Sequence, residues 1–296
     1  MTIERALNFL ADRYGGGADQ VEVLGAGDWS RAFGFRFEGR NLVARFGVWR
    51  EDFEKDRSAM AFAGPDLPVP QVLEIGEAFD GAYAISERHF GLFLEELDAE
   101  QWQRVLPAVL GALDAMRAVS VPVDSRGQTW GEWLLDLLVD DPGRRVHGWR
   151  HKLAASAELD GLFVAGQRTL EALLPACPDL CHVLHLDLLN RDVLVVEDAS
   201  RLEAVFDWGC LAYGDFVYEV AWFCFWAPSH PGLAATDVRA AVLERHGSTG
   251  LAVENFDERL RCYEIHIALH HLAYTSFRSD RQADLAAIAG RLRELL

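Results

Sequence analysis

The sequence predicts an α+β protein in which a small, mainly antiparallel sheet near the N-terminus precedes a larger, mainly helical region. Short apolar runs separated by glycine-bearing turns in residues 21–46 are typical of β-hairpins. Residues 101–118 carry one apolar stripe at helical spacing, which indicates a long helix with one buried face. With 296 residues, the chain is long enough to form two lobes around ample core.

The N-terminal elements begin with a predicted helix over residues 3–14, which ends at three consecutive glycines. Apolar runs predict strands over residues 21–24, 32–37, 42–46 and 82–88, and residues 51–63 are expected to form a second helix. The turn over residues 25–30 combines glycines with a serine, so its backbone amides could cover nucleotide phosphates. A glycine-bearing turn is more often simply part of a hairpin.

The remainder of the chain is predicted to be mainly helical, over residues 101–118, 149–174, 218–225 and 263–277. One hairpin interrupts this pattern. Its strands, residues 193–196 and 204–206, are apolar and are joined by a polar turn.

Composition points to a globular protein, because half of the residues are hydrophobic and the mean hydropathy is near zero. No apolar run is long enough for a membrane span, and the N-terminus lacks the basic start and apolar core of a signal peptide. Five cysteines without framework spacing favour a reduced, cytoplasmic location.

The formal net charge of −18 argues against a nucleic-acid partner, since such binding depends on neutralising phosphates. An acidic cleft would instead suit a small polycationic substrate through field focusing. An acidic surface also serves solubility, so the charge alone supports that substrate class only mildly.

Three aspartates flank the predicted hairpin: Asp187 in the preceding loop, Asp192 before the first strand and Asp207 after the second. Antiparallel pairing would bring Asp192 and Asp207 to one end of the hairpin, facing the loop that carries Asp187. Two carboxylates that bind Mg²⁺ and a third that orients a hydroxyl are what phosphoryl transfer from Mg-ATP requires. Single acids at strand ends are more often turn formers or helix caps, so the prediction depends on the order and spacing of all three.

The segment 185–192, HLDLLNRD, and the dipeptide 207–208, DW, resemble the catalytic segment of the aminoglycoside phosphotransferases, which are relatives of the protein kinases. The run 213–221 is similar to the segment that follows the Asp-Trp dipeptide in the members of that family that act on hygromycin B. The family pattern has a small residue where this chain has Leu186 and a metal-binding asparagine where it has Asp192. Aspartate is also an oxygen ligand for Mg²⁺.

This resemblance implies a bilobal protein-kinase-like fold. The N-lobe, residues 1–88, would bind nucleotide, and the C-lobe, residues 89–296, would carry the catalytic loop and bind substrate. The donor would be ATP, or GTP, with Mg²⁺. By the same resemblance Asp187 is catalytic and Asp192 and Asp207 hold the metal.

Further contacts follow from the resemblance. Ser30 in the turn and Arg45 would bind the nucleotide phosphates, and Arg45 would form an ion pair with Asp56 (or Glu54). The backbone of Ser86 to Arg88 would bind the adenine edge. Those to the substrate are His270, His271 and Tyr274. Asp215 is expected to cap the helix that follows it.

Two other cysteine and histidine patterns have the spacing of metal ligands: Cys177 and Cys181 with His182, and His266 with His270 one helical turn later. Neither has the further ligands of a structural zinc site, so core or pocket histidines are favoured.

The predicted reaction is phosphorylation of a hydroxyl on a small molecule, an aminocyclitol antibiotic such as hygromycin B being the leading substrate. Macrolides, chloramphenicol, amino alcohols and sugars remain open as acceptors. The alternative from another class is a catalytically degenerate, nucleotide-binding regulator, which Asp192 and Leu186 favour slightly. Turnover discriminates between them.

Overall fold

The computed structural model of the chain describes residues 1–278 and 282–296. Its strands are β1 Asp19–Ala26, β2 Ser30–Phe37, β3 Arg40–Gly47, β4 Val72–Ala78, β5 Gly81–Glu87, β6 Leu92–Phe93, β7 His182–Leu184, β8 Val193–Val195, β9 Leu202–Val205 and β10 Ala212–Gly214. Its helices are α1 Ile3–Tyr14, α2 Arg50–Ala59, α3 Ala99–Ala118, α4 Trp130–Asp136, α5 Trp149–Ala154, α6 Ala157–Leu173, α7 Val217–Trp226, α8 Pro231–Ala234, α9 Val238–Thr249, α10 Phe256–Phe277 and α11 Gln282–Leu295.

The chain divides into two compact units. The first contains Met1–Ala115 and Asp187–Leu211, and the second contains Met116–Leu186 and Ala212–Leu296. All three aspartates of the predicted hairpin segment therefore belong to the same unit as the N-terminal sheet. The assignment of residues 1–88 to nucleotide binding and of 89–296 to catalysis and substrate binding stays a prediction.

The first unit is built on a five-stranded antiparallel sheet in the order β1-β2-β3-β5-β4. Side chains alternate between the two faces of a strand, so Leu42, Ala44 and Phe46 of β3 share one face. On that face they pack with residues of α1, among them Ala6 and Leu10. Burial of this apolar face fixes the register, because a shift by one residue would expose it.

The opposite face of the sheet packs against α2, where Phe53 lies in a buried cluster with Ala82 and Ala84 of β5. Alternation places Arg45 on this face, opposite Ala84 in the register. The Arg45 guanidinium lies 5.2 Å from the centre of the Phe53 ring. The sheet thus aims Arg45 at α2.

The predicted hairpin is present as β8 and β9, which pair antiparallel, and β6 extends it to three strands. The Val205 amide donates to the Pro68 carbonyl at 2.7 Å and ties β9 to the segment before β4. Gly91 can only be glycine, because an added Cβ would lie 2.4 Å from the Val195 carbonyl oxygen.

In the second unit, the long helix α10 is buried along most of its length and contacts α5, α6, α7 and α11. Close approach is possible where α6 carries Gly166, since a Cβ there would lie 2.9 Å from Leu269 Cδ2. Thr129 caps the start of α4: its hydroxyl accepts from the Glu132 amide while the Glu132 carboxylate accepts from the Thr129 amide.

Most predicted elements are confirmed, with different ends. The helix predicted over residues 51–63 ends at Ala59, and Met60–Phe62 form a 3-10 turn instead. Helix α10 begins at Phe256, seven residues before the predicted start at residue 263. No disulfide joins the cysteines of the described chain, and no helix within residues 1–278 and 282–296 has the length and apolar character to cross a membrane. The cytoplasmic location stays a prediction.

Candidate active site

The β8–β9 hairpin brings Asp192 and Asp207 to one end, as predicted. Val193 pairs with Val205, and the Phe206 amide donates to the Asp192 carbonyl at 2.9 Å, so the pairing continues up to the two acids. Burial raises the pKa of Asp192 well above its usual range, and the charges of Asp207 and Asp187 raise it further. The three acids therefore act on one another electrostatically within one unit.

Arg45 forms the predicted ion pair with Asp56 and a second one with Asp207, whose Oδ1 lies 3.1 Å from the guanidinium NH1. The fallback partner, Glu54, pairs instead with Arg50 at 2.9 Å. Although burial alone would lower the pKa of Arg45, the neighbouring carboxylates raise it. Arg45 therefore supplies a permanent positive charge among the acids.

Asp56 has two functions in this arrangement. One carboxylate oxygen pairs with Arg45, and the other accepts a hydrogen bond from the Trp208 amide at 2.7 Å. Burial raises the pKa of Asp56 to about 7, whereas Arg45 and the Trp208 amide favour its charged form. Asp56 thus connects α2 both to the β3 arginine and to the residue after Asp207.

Asp187 lies in the loop before β8, where the Asn190 side-chain amide donates to its carboxylate at 3.1 Å. Burial raises the pKa of Asp187 to about 7; the Asn190 hydrogen bond opposes this shift, and the charges of Asp207 and Glu95 add to it. A carboxylate that titrates near neutral pH is suited to accept a proton from a hydroxyl.

Three residues of this region adopt left-handed backbone conformations: Leu186, Arg191 and Asp207 have φ of 67°, 65° and 59°. Each such residue other than glycine costs about 1 kcal/mol. Leu186 stands where the resembling family has a small residue, so this chain holds a bulky side chain in a conformation that glycine adopts freely. Backbone strain of this kind persists only where the surrounding structure stabilises it.

Asp192 and Asp207 are residue types that Mg²⁺ accepts as ligands. Within the described residues, no group of three or more His, Cys, Asp or Glu side chains is arranged to hold a metal ion by itself. Mg²⁺ is typically held by one or two carboxylates together with water and substrate phosphates. The mutual repulsion of Asp187, Asp192 and Asp207, which raises the pKa of Asp192, is what a divalent cation would relieve.

Known proteins are similar to this chain over most of its length. The profile of the phosphotransferase enzyme family matches residues 43–252. The hygromycin-B 4-O-kinase of Escherichia coli is 31% identical over 306 residues, covering 98% of this chain and 84% of that protein. The chain belongs to the phosphotransferase enzyme family.

Solved structures show the same relationship. The crystal structure of aminoglycoside phosphotransferase APH(4)-Ia matches with a TM-score of 0.82 and 28% identity, covering 99% of this chain and 98% of that one. A thermostable mutant of that protein, in ternary complex with AMP-PNP and hygromycin B, matches with a TM-score of 0.81 and 28% identity, covering 98% and 97% of the two chains. The protein-kinase-like α+β fold and the reaction class, phosphoryl transfer, are thereby confirmed.

The predicted nucleotide contacts of this phosphotransferase lie on the N-terminal sheet. Ser30 begins β2, opposite Gly47 of β3, and its carbonyl accepts from the Gly27 amide at 3.0 Å. Ser86 lies on β5, opposite Val43 of β3.

Arg88, the last of the predicted adenine contacts, is already engaged within the first unit. Its amide donates to the Asn41 carbonyl at 3.1 Å, and its guanidinium donates to Glu22 at 2.6 Å. An adenine contact in this segment would therefore fall to carbonyl oxygens or to the residues after Arg88.

Two buried carboxylates of the second unit, Glu219 and Asp215, accept hydrogen bonds from backbone amides. Glu219 accepts hydrogen bonds from the His185 and Leu186 amides at 2.6 and 2.9 Å, which fixes the two residues before Asp187 in the chain. Asp215 was predicted to cap α7; its carboxylate accepts from the Val217 amide at 3.1 Å, but the N-cap position itself is occupied by Phe216.

The main partner of Asp215 is one that the sequence did not indicate. Asp215 is fully buried and pairs with Arg259, whose Nε donates to it at 2.8 Å. Tyr263 donates to the same carboxylate. Spacing along the chain gave no signal for either the Glu219 or the Arg259 contact, because the partners are 34 and 44 residues apart.

The predicted substrate residues His270, His271 and Tyr274 lie half-buried on α10. The His271 ring contacts two indoles of α7, with centroid distances of 5.4 Å to Trp222 and 4.8 Å to Trp226. Sequence reasoning did not single out either tryptophan. The indole N–H groups of both lack a hydrogen-bond partner among the described residues.

His266, four residues before His270, is a core histidine, as favoured from the sequence. It is fully buried, its Nε2 donates to the Leu134 carbonyl at 2.9 Å, and its Nδ1 accepts from the Tyr218 hydroxyl at 2.8 Å. The carbonyl can only accept, which assigns the proton to Nε2. Burial lowers the pKa of His266 to about 3.

His266 should make the stability of the protein fall as the solution is acidified. Below the unfolded pKa of about 6.5, the unfolded chain binds a proton that folded His266 refuses, so this residue costs about 1.4 kcal/mol per pH unit until about pH 3. Urea unfolding of wild type and His266→Gln at pH 7.5 and 5.5 should show the wild type losing about 1.4 kcal/mol more than the variant. Equal losses in the two proteins would contradict the assignment of a neutral, buried His266. A second comparison at pH 7.5 and 8.5 serves as the control, because neither state binds the proton there.

Proposed function

We propose that the chain transfers the γ-phosphoryl group of ATP to a hydroxyl of an aminocyclitol antibiotic such as hygromycin B. The observation that carries the proposal is the gathering of Asp187, Asp192, Asp207 and Arg45 in one compact unit, where their charges interact directly. Phosphoryl transfer depends mostly on positioning and charge neutralisation, and this set of groups provides both.

Asp187 is the residue that we assign to the attacking hydroxyl. Its carboxylate orients the hydroxyl and accepts the proton, and the Asn190 amide holds one of its oxygens in place. Because the pKa of Asp187 is raised to about 7, the carboxylate is basic enough to take a proton at neutral pH.

Asp192 and Asp207 would hold Mg²⁺, which when bound neutralises the charge of the phosphate oxygens. Arg45 would bind the phosphates beside these acids, since its guanidinium lies 3.1 Å from Asp207. Asp56 keeps Arg45 extended toward the acids and carries the counter-charge that a buried arginine needs.

The nucleotide contacts that we propose are the Ser30 hydroxyl and backbone amides of its turn on the phosphates, and the backbone from Ser86 to Arg88 on the adenine edge. The Arg88 amide already donates to the Asn41 carbonyl. The carbonyl oxygens of this segment are therefore the groups that would accept hydrogen bonds from the adenine. ATP is the proposed donor because the ternary complex of the solved relative contains AMP-PNP.

The substrate proposal rests on the relatives and on an aromatic cluster between α7 and α10, which consists of Trp222, Trp226, His270, His271 and Tyr274. The curated relative is a hygromycin-B 4-O-kinase, and the solved relative binds hygromycin B. Aromatic rings pack against sugar faces and attract ammonium groups. The net charge of −18 favours a polycationic ligand as well.

Replacing Asp207 with asparagine should remove the contribution of Mg²⁺ to nucleotide binding. The amide keeps the shape of the side chain but loses the charge, and a lost charged contact corresponds to about tenfold or more in affinity. Calorimetric titration with ATP, with and without Mg²⁺, measures the change. Asp198→Asn, in the turn between β8 and β9, is the matched control because this exposed acid accepts hydrogen bonds from Ser200 within that turn. An unaltered Mg²⁺ effect in Asp207→Asn would remove Asp207 from the metal site.

The regulator alternative is favoured by one observation, the buried carboxyl of Asp192 where the resembling family has asparagine. A second negative charge beside Asp207 opposes the approach of nucleotide phosphates unless a metal is bound. Transfer of the γ-phosphoryl group to hygromycin B separates the two functions. Phosphorylated antibiotic supports the enzyme, whereas nucleotide binding without transfer to any hydroxylated acceptor supports the regulator.

A further inference from the structure

We propose that Lys55 is a positioning residue that holds the metal-binding aspartate in place and so sets the affinity for Mg-ATP. The inference rests on the proposed function, because it takes Asp207 as a metal ligand. It concerns the short turn after that residue, Trp208–Cys210, which we call the Asp207 turn.

Helix α2 holds the Asp207 turn through two consecutive residues. The Asp56 carboxylate accepts from the Trp208 amide at 2.7 Å, and the Lys55 ammonium donates to the Gly209 carbonyl at 2.9 Å. One contact fixes a donor of the turn and the other fixes an acceptor one residue later. Together they define the orientation of the backbone that leaves Asp207.

Asp207 needs this support because its backbone is left-handed, with φ of 59° and ψ of 57°. A residue with a side chain holds such a conformation only when its surroundings favour it. Within the turn itself, the Leu211 amide donates to the Trp208 carbonyl at 2.8 Å, which closes the turn but does not connect it to another element. The connection is made by α2.

A substitution of Lys55 tests this positioning role without changing the residues that bind phosphate. Asp56 also pairs with Arg45, so changing Asp56 would disturb the phosphate-binding arginine and the turn together. The hydrogen bond that Lys55 makes to Gly209 involves only the turn.

The test compares Lys55→Met, Lys55→Arg and wild type in calorimetric titrations with ATP at several Mg²⁺ concentrations. Methionine keeps the length of the chain but cannot donate, so the Kd for Mg-ATP should rise about tenfold while binding of ATP without Mg²⁺ stays unchanged. Arginine can still donate to the carbonyl and should retain affinity within about threefold of wild type. The Tm of Lys55→Met without ligand should change by less than about 3 °C.

Arg57→Met is the matched control, because Arg57 is an exposed cation of the same helix that pairs only with Glu54 among the ion pairs of the described chain. It should bind Mg-ATP as wild type does. Unchanged Mg²⁺ dependence in Lys55→Met, or equal weakening with and without Mg²⁺, would overturn the inference. If Asp207→Asn abolishes Mg²⁺-dependent binding and Lys55→Met does not weaken it, only the role of Lys55 is wrong. If wild type binds no Mg-ATP, the proposed function and this inference are both overturned.

Discussion

Replacing Asp187 with asparagine should lower kcat about 10²- to 10⁴-fold while leaving ATP affinity nearly unchanged. Asparagine keeps the size of the side chain but cannot accept the proton of the attacking hydroxyl, and general-base catalysis contributes about this much to the rate. The phosphate-binding charge of Arg45 and the metal-binding acids remain. Steady-state kinetics with hygromycin B, together with nucleotide titrations, measure both quantities.

The pH dependence of wild type provides a second measure of the same residue. Protonated Asp187 cannot accept a proton, so kcat/KM should fall as pH decreases through the pKa of about 7. Asp198→Asn, which removes an exposed acid in the turn between β8 and β9, should retain both the rate and the profile. Turnover of Asp187→Asn within about threefold of wild type would exclude Asp187 as the base.

Replacing Arg259 with methionine should destabilise the protein by about 3–5 kcal/mol, because it leaves the Asp215 carboxylate buried without its counter-charge. Asp215 is fully buried and Arg259 is 4% exposed, so water cannot replace the lost partner. Tyr263 and the Val217 amide would remain as neutral donors to the carboxylate. Denaturant unfolding monitored by tryptophan fluorescence gives the free energy of unfolding.

Two further variants identify the cause of this loss. Adding Asp215→Asn to Arg259→Met removes the uncompensated charge and should recover part of the stability. Arg239→Met breaks an exposed ion pair with Asp257 and should cost less than about 1 kcal/mol. If Arg259→Met lowers the free energy of unfolding no more than Arg239→Met does, the buried pair contributes no more to stability than a surface pair.

The parts of the site that the sequence predicted are those that local patterns determine. Antiparallel pairing of β8 with β9 brings Asp192 to Asp207. Arg45, in contrast, was predicted from the family resemblance, and alternation along β3 places it on the face opposite the apolar one. The pairing of Arg45 with Asp56 rather than Glu54 follows the family resemblance, and the structure confirms it.

The parts that the sequence did not predict depend on contacts between distant segments. Lys55 and Gly209 are 154 residues apart, and no local periodicity relates them. The aromatic partners of His271 on α7 were missed for the same reason. Left-handed backbone at Leu186 and Asp207 was also unexpected, because residues with side chains rarely adopt it.

The ends of the helices were predicted less well than their presence. Helix α10 starts at Phe256, and the predicted run from residue 263 covers its most buried part, whereas its first turn is partly exposed. Helix α2 gives way to a 3-10 turn at Met60, where the Val72 amide contacts the methionine sulfur.

Phosphorylation of an aminocyclitol hydroxyl can be measured by mass spectrometry of hygromycin B incubated with the protein, ATP and Mg²⁺. We expect antibiotic heavier by one phosphoryl group, with ADP formed in equal amount and with fragments that locate the modified hydroxyl. Asp187→Asn in parallel should yield little product. Unmodified hygromycin B, in a sample where wild-type protein binds Mg-ATP, would contradict the proposed substrate; modification of another hydroxylated compound under the same conditions would then name the acceptor instead.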